Sequence, residues 1–306
     1  DMDGLRALIG QLIHCAAEDI AFTLNACSAL SLFLGGIDWT PGDKIVTLTD
    51  EFPNHYYYAS LLARKGAELI ELPEIVRLPA GTRAVVISSV NYMNGYRPDL
   101  DAVSQLVKNA GALLYIDGTQ SLGALRFDVA KVRPDMFAVD GYKWLLCPNG
   151  ASFFYISPEL RERLEPAVVG WRSDRGWRKP EELNHGMPQL PEGAERYEGG
   201  MLAFPVLYGM AECVRMFLEV GPAAIEERVL SLAAQTAAIL KDSGARIRHE
   251  GSNIVAAHWL DRDASSLARG LESQGIAVAA RHGNLRVSPH FYNNREDLDI
   301  LAAALA

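Results

Sequence analysis

The chain alternates short apolar runs with amphipathic stretches for most of its length. Residues 44–49, 67–72, 83–90, 112–116, 136–139 and 151–156 are runs of mainly apolar residues closed by turn residues, the pattern of buried strands. Between them lie segments of helical period. Residues 3–17 carry Leu5, Leu8, Ile9, Leu12 and Ile13 on one face, 55–65 form a second predicted helix, and Asp99 caps a third that runs to about Asn109. A short strand at 19–23 precedes a helix opening at Asn25-Ala-Cys-Ser28. After an irregular, polar stretch at 166–196, two long helices are predicted at 204–219 and 222–241. A smaller strand–helix set follows, with strands at 244–250, 253–259, 276–280 and from 284, a helix at 264–273 and a last helix from Arg295. Strand–helix alternation of this kind predicts an α/β fold, a mostly parallel sheet sandwiched by helices plus a smaller C-terminal α/β domain. The expected division is 1–205 and 206–306.

Composition narrows the functional classes. Lys and Arg number 29 against 38 Asp and Glu, a net charge of −9, and no basic cluster stands out, so nucleic acid is not an expected partner. Four cysteines without a CxxC pair suggest neither a zinc site nor a disulfide framework, and the expected setting is the reducing cytoplasm. Residues 20–37 carry no charge and approach the length of a membrane span, but Thr23, Asn25, Ser28, Ser31 and Gly35-Gly36 read better as strand, loop and helix. No GxGxxG follows the first strand, which argues against a nicotinamide-dependent oxidoreductase.

The chemistry gathers in residues 112–156. One apolar run ends in Asp117, with Gln120 one short turn later. The next ends in Asp140-Gly-Tyr-Lys143, and Pro148-Asn-Gly introduces the third. Acids and a lysine at strand ends suit a site along the carboxyl edge of a parallel sheet. Pyridoxal 5′-phosphate (PLP) needs both groups. A lysine holds it as a Schiff base, and a carboxylate beside the pyridine nitrogen keeps the ring protonated and able to accept electrons. Gln120 is placed to donate to the ring's phenolic oxygen.

With these motifs in this order, nearly the whole chain resembles the class V aminotransferase superfamily, which includes cysteine desulfurases, kynureninases and several epimerases and lyases. The resemblance implies a fold type I PLP-dependent transferase architecture, a homodimer with the active site at its interface, and an α-amino acid substrate. It implies that Lys143 forms the Schiff base and acts as general base, with Asp117 at the ring nitrogen. Cys27 and Ser28 fall in the phosphate loop at a helix N-terminus. Phe52, in Glu-Phe-Pro-Asn, falls where the family stacks a side chain on the ring, as in kynureninases. Asp140 and Tyr142 join Ser28 in the phosphate cup, although a carboxylate repels a phosphate and acceptance of backbone N–H groups is the alternative for Asp140. Asn91 and Tyr92, in a kynureninase-like Val-Asn-Tyr-x-x-Gly-Tyr pattern, are expected near cofactor or substrate.

Arg286, in Leu-Arg-Val-Ser, matches the arginine that binds the substrate carboxylate through its planar fork. Two departures matter. Met201 stands where the family often has a phosphate-contacting threonine. The catalytic cysteine of desulfurases, which precedes the arginine, has no counterpart in Ala279-Ala-Arg-His-Gly-Asn284, and no cysteine lies after Cys213. Transamination is therefore the expected reaction and a kynureninase-like carbon–carbon lyase the alternative. A catalytically silent binding relative is a third reading. The family also carries a longer segment before the phosphate loop than this chain does.

Overall fold

The computed structural model describes residues 1–179, 181, 183 and 185–306. In chain order the elements begin with α1 Met2–Ile13, β1 Ile20–Thr23, α2 Ala26–Gly35, β2 Lys44–Leu48, α3 Pro53–Leu61, β3 Glu68–Leu72 and β4 Thr82–Ser88. Then come α4 Leu100–Asn109, β5 Leu113–Asp117, α5 Val129–Val132, β6 Met136–Asp140, β7 Ser152–Ile156, α6 Pro158–Arg161 and α7 Phe204–Val220. The last part holds α8 Pro222–Asp242, β8 Arg246–Ile247, β9 Val255–His258, α9 Ala264–Glu272, β10 Ala279–Arg281, β11 Asn284–Val287 and α10 Arg295–Leu305.

Two compact units emerge. The first comprises Asp1–Ser89, Asp99–Leu122 and Phe127–Glu219. Its seven-stranded sheet runs β1-β7-β6-β5-β4-β2-β3. The five strands from β3 to β6 are parallel, while β7 runs against both β6 and β1. The mostly parallel α/β sheet read from the sequence is present, flanked by helices. β4, β5, β6 and β7 are buried along nearly their whole length, which explains their continuous apolar runs. Phe33, Tyr115, Phe154 and Met136 join the helices to this sheet in one core. After β3 the chain crosses back to the other side of β2 and continues as β4, so β2 and β4 flank the point where strand order reverses, the usual place for a ligand crevice.

The second unit comprises Val90–Pro98, Gly123–Arg126 and Val220–Ala306. Its sheet, β10-β11-β9-β8, is antiparallel and packs Leu285, Val255 and Trp259 against Leu240 of α8 and Leu301 of α10. α7, placed by the sequence pattern at the start of the second domain, groups with the first unit and buries Leu207, Met210, Val214 and Phe217.

The first helix is shorter than its apolar periodicity suggests. α1 stops at Ile13 because His14 enters the left-handed region and the chain folds back over Gly10, with Cys15 N–H donating to the Gly10 carbonyl at 3.0 Å. A Cβ at Gly10 would meet the Cys15 oxygen at 2.6 Å, so the fold-back requires glycine there. Among the described residues, no helix is long and apolar enough to cross a membrane.

Candidate active site

The carboxyl edge of β2, β4, β5 and β6 assembles the site of the first unit. β5 delivers Asp117, whose carboxylate accepts from Thr119 N–H at 2.8 Å. Gly118 follows, and its N–H donates to the Ala138 carbonyl of β6 at 2.8 Å, tying the two strand ends together. A Cβ on Gly118 would fall 2.2 Å from the Phe137 ring, so the close approach of the two ends depends on that glycine.

Beyond β6 the chain loops through Gly141, Tyr142 and Lys143. The loop is closed by three backbone bonds, Gly141 N–H to Ala151 O at 3.0 Å, Cys147 N–H to Gly141 O at 2.9 Å and Leu146 N–H to Lys143 O at 3.2 Å. It holds the half-buried Lys143 with Nζ 5.8 Å from the centre of the Phe52 ring and 5.6 Å from that of Tyr142. Both rings are partly exposed, Phe52 at 39% and Tyr142 at 44%. Gln120 sits half-buried one turn past Asp117.

Asp140 builds the site rather than facing outward. Its carboxylate accepts from Ala26 N–H at 2.6 Å and from the Ser152 hydroxyl at 2.8 Å, and its own N–H donates to Thr119 Oγ1 at 3.0 Å. Burial raises its pKa, opposed by those bonds from Ser152 and Ala26. This arrangement matches the alternative reading of Asp140, in which it accepts backbone N–H groups. The bond from Ala26 fixes the N-terminus of α2, which the Tyr115 hydroxyl also holds by donating to the Ala26 carbonyl at 3.2 Å. At that N-terminus Asn25 caps the helix by accepting from Ser28 N–H at 2.8 Å and from the Ser28 hydroxyl at 2.9 Å. The Ser28 groups assigned to a phosphate are thus engaged by the cap, and neighbouring Cys27 is exposed. Met201, at the position of the family threonine, is 70% exposed.

His55 was not singled out by the sequence. It lies in the first turns of α3, fully buried, with Nδ1 3.3 Å from Glu51 Oε2 and Nε2 3.8 Å from Asp117 Oδ2. Glu51 is held in turn by Ser88, whose N–H and hydroxyl donate to its two oxygens at 2.7 and 2.6 Å. Burial alone would lower the imidazole pKa, but the two carboxylates outweigh it and raise it to about 9. Asp117 shifts the other way: burial would raise it, and His55 together with Thr119 brings it below the ordinary value. Glu51 lies just before α3 and His55 in its first turn, so no helical spacing links them, and the available signal was only their nearness in sequence beyond the end of β2.

The second unit carries the other expected residues. The Arg286 guanidinium of β11 donates to the Tyr92 carbonyl at 2.6 Å, and its buried Nε has no hydrogen-bond partner. Burial lowers its pKa, as does Arg281. A buried guanidinium with an unused donor suits an anion. Asn91 shapes its loop by accepting from Met93 and Asn94 N–H groups, and the Tyr92 hydroxyl lies 3.3 Å from His282 Nε2. β10 and β11 are joined by His282 and Gly283 alone, both at positive φ, with Arg281 paired to Asn284.

The chain belongs to the class V aminotransferase family, whose model matches residues 1–301. The family is PLP-dependent. The chain is 24% identical to a probable cysteine desulfurase of Pyrococcus abyssi, over 98% of this chain and 81% of that protein. It is 28% identical to an isopenicillin N epimerase of Streptomyces clavuligerus, over 98% and 82%. In fold it is similar to a cystine C–S lyase solved with its reaction product cysteine persulfide, with TM-score 0.90, 21% identity, and coverage of 99% of this chain and 85% of that one.

Proposed function

We propose that this chain is an aminotransferase acting on an α-amino acid through PLP. The observation that carries the reading is the delivery of Asp117 and Lys143 by adjacent strands β5 and β6 to one sheet edge, with Lys143 Nζ lying near the Phe52 ring. Lys143 would hold the cofactor, Phe52 would lie against its ring, and Asp117 would face its pyridine nitrogen with Gln120 beside the phenolic oxygen. The first turn of α2, with Cys27 and Ser28, and Tyr142 remain the proposed surroundings of the phosphate. Asp140 supports that turn. When bound, PLP supplies an electron sink for the bonds at the substrate's Cα. Lys143 Nζ would take the proton from the substrate's Cα and hold it as its own ammonium. Asp117 stays ionised opposite the cationic ring nitrogen. Arg286, with Tyr92 and Asn91 around it, is proposed to take the substrate carboxylate.

The short β10–β11 turn supports transamination over desulfuration. Two residues, neither of them cysteine, span the position where the desulfurase motif carries its nucleophile. A lyase that needs no such cysteine is the second reading, favoured by Phe52 at the stacking position. Exposed Leu24, Val168, Val169 and Met201 support a homodimer. The two-domain division at 205/206 remains a proposal about how the chain folds.

The test is the visible spectrum of the PLP-loaded protein before and after one dose of mixed amino acids, without a keto acid. Lasting loss of the cofactor band is the expected result, because the amino group then stays on the cofactor. A band that dips and recovers while product accumulates overturns transamination in favour of a lyase or epimerase.

A further inference from the structure

Three buried groups sit in a row behind the candidate cofactor position. Glu51 accepts from Ser88 on one side, His55 lies in the middle, and Asp117 ends the row at the sheet edge. His55 is 0% exposed, with Nδ1 3.3 Å from Glu51 Oε2 and Nε2 3.8 Å from Asp117 Oδ2, so each ring nitrogen faces a carboxylate. The remaining titratable group against it is Tyr115, whose ring meets the imidazole edge-on at 6.4 Å. Burial pushes that phenol well above its ordinary range, so it stays neutral and adds no charge. A neutral imidazole would leave two carboxylates facing each other across it in a low-dielectric interior, which is costly. A protonated one balances one of them, and the row keeps a single net negative charge.

We infer that His55 is a positioning residue: its imidazolium holds the Asp117 carboxylate ionised and oriented toward the pyridine nitrogen, and so sets how strongly the site favours a cationic cofactor ring. This rests on the proposal that Asp117 faces that nitrogen. The row acts as a unit. Asp117 draws the cofactor's positive charge in, and His55 behind it limits that attraction and prevents Asp117 from taking up the proton itself. Removing the two groups should therefore move the cofactor in opposite directions.

The test uses the full chain loaded with PLP and labelled with 15N-histidine, the His55 signal being assigned by its loss in His55→Asn. The expected result is an imidazole protonated on both nitrogens at neutral pH, with a midpoint that falls by about one pH unit or more in Asp117→Asn. A neutral imidazole at neutral pH overturns the inference. The second readout is the pH at which the visible band of bound PLP changes protonation form. It is expected to rise by roughly one unit in His55→Asn, which removes a cation, and to fall in Asp117→Asn, which removes an anion. An unmoved band in Asp117→Asn sinks the placement of Asp117 at the ring. A moved band there with none in His55→Asn sinks the role of His55 alone. If His55→Asn fails to fold, the Glu51→Gln/His55→Asn pair removes one charge of each sign from the row and carries the same readout, again with a rise expected.

Discussion

The first unit buries two clusters of acids and bases, and they differ in one respect. In one, Glu198 is completely enclosed and both its oxygens are taken. Oε1 accepts from Phe22 N–H at 3.1 Å and pairs with Arg6, while Oε2 accepts from Arg172 at 2.8 Å. Arg6 also pairs with Asp3 at 2.9 Å, Asp3 meets Arg178 at 3.2 Å and Arg178 meets Glu195 at 2.9 Å, so three acids meet three guanidinium groups. Arg172 further lies 3.7 Å from the centre of the Trp177 ring. In the other cluster, Glu51 and Asp117 share the single imidazole of His55. The first cluster is balanced in charge, although Arg172 Nε lacks a hydrogen-bond partner, and it joins α1, β1 and the segment after residue 170. The second is one cation short, and its open end, Asp117, lies at the sheet edge. A buried polar cluster balanced from within serves the fold, whereas one left short of a charge is a candidate site for a ligand of the missing sign.

That contrast can be broken in several ways. The largest effect is expected at the open end. Lys143→Ala should abolish any borohydride-reducible link to PLP and lower turnover by roughly 10³-fold or more, while melting as the parent does. A mutant that still forms the adduct refutes the assignment of Lys143. Glu198→Ala should do the reverse. It leaves Arg172 buried without its acid and Arg6 with Asp3 alone, at a cost of about 3–5 kcal/mol read by urea denaturation, and the properly folded fraction should keep the cofactor band in place. If stability is unchanged, the closed cluster does not hold these segments together.

The pH dependence separates the clusters further. The folded pKa of His55 is raised to about 9, so its contribution is fully present below the ordinary histidine value of 6.5 and is lost as pH rises through about 9. In that window the cofactor-free chain should lose stability on the order of 1.4 kcal/mol per pH unit from this group, and His55→Asn should lose that slope, as followed by thermal melts across the range. Asp117, with its pKa lowered, contributes in the opposite sense, losing its share as pH falls through the acid range. The smallest effect is expected at Gly141, where a Cβ would meet the Ala151 oxygen at 2.8 Å and Cys147 Cβ at 2.9 Å. Gly141→Ala should cost about 1–3 kcal/mol, displace Lys143, and slow formation of its link to PLP, measured by the rate at which the band appears.

Which parts of the site were legible follows from where each residue lies in its element. Asp117 stands out because it closes an apolar run, where a charged group has to be at a strand end, and Lys143 because it lies three residues past Asp140, which closes the next run. The strands themselves were read from their unbroken burial. His55 did not stand out. It sits between Asn54 and three tyrosines, a local pattern that looks like the solvated start of a helix, and its burial comes from packing against Asp117 some sixty residues later. Glu198 did not stand out either, because its partner Arg6 lies 192 residues away. Asp140 was placed by the motif, but which groups it would accept depended on where α2 starts in space.

The sequence alone determined the parallel sheet, the order of its elements and the kind of cofactor chemistry, and it singled out Asp117 and Lys143 as the residues proposed to carry it. Those features are written in local periodicity and in charges at run ends. The tertiary structure decided which buried charges balance one another. It assigned Glu198 to a closed cluster and left the row ending in Asp117 open. Charge balance depends on distances between residues far apart in the chain, and the steep rise of electrostatic energy in a buried, low-dielectric setting makes a few ångströms decisive.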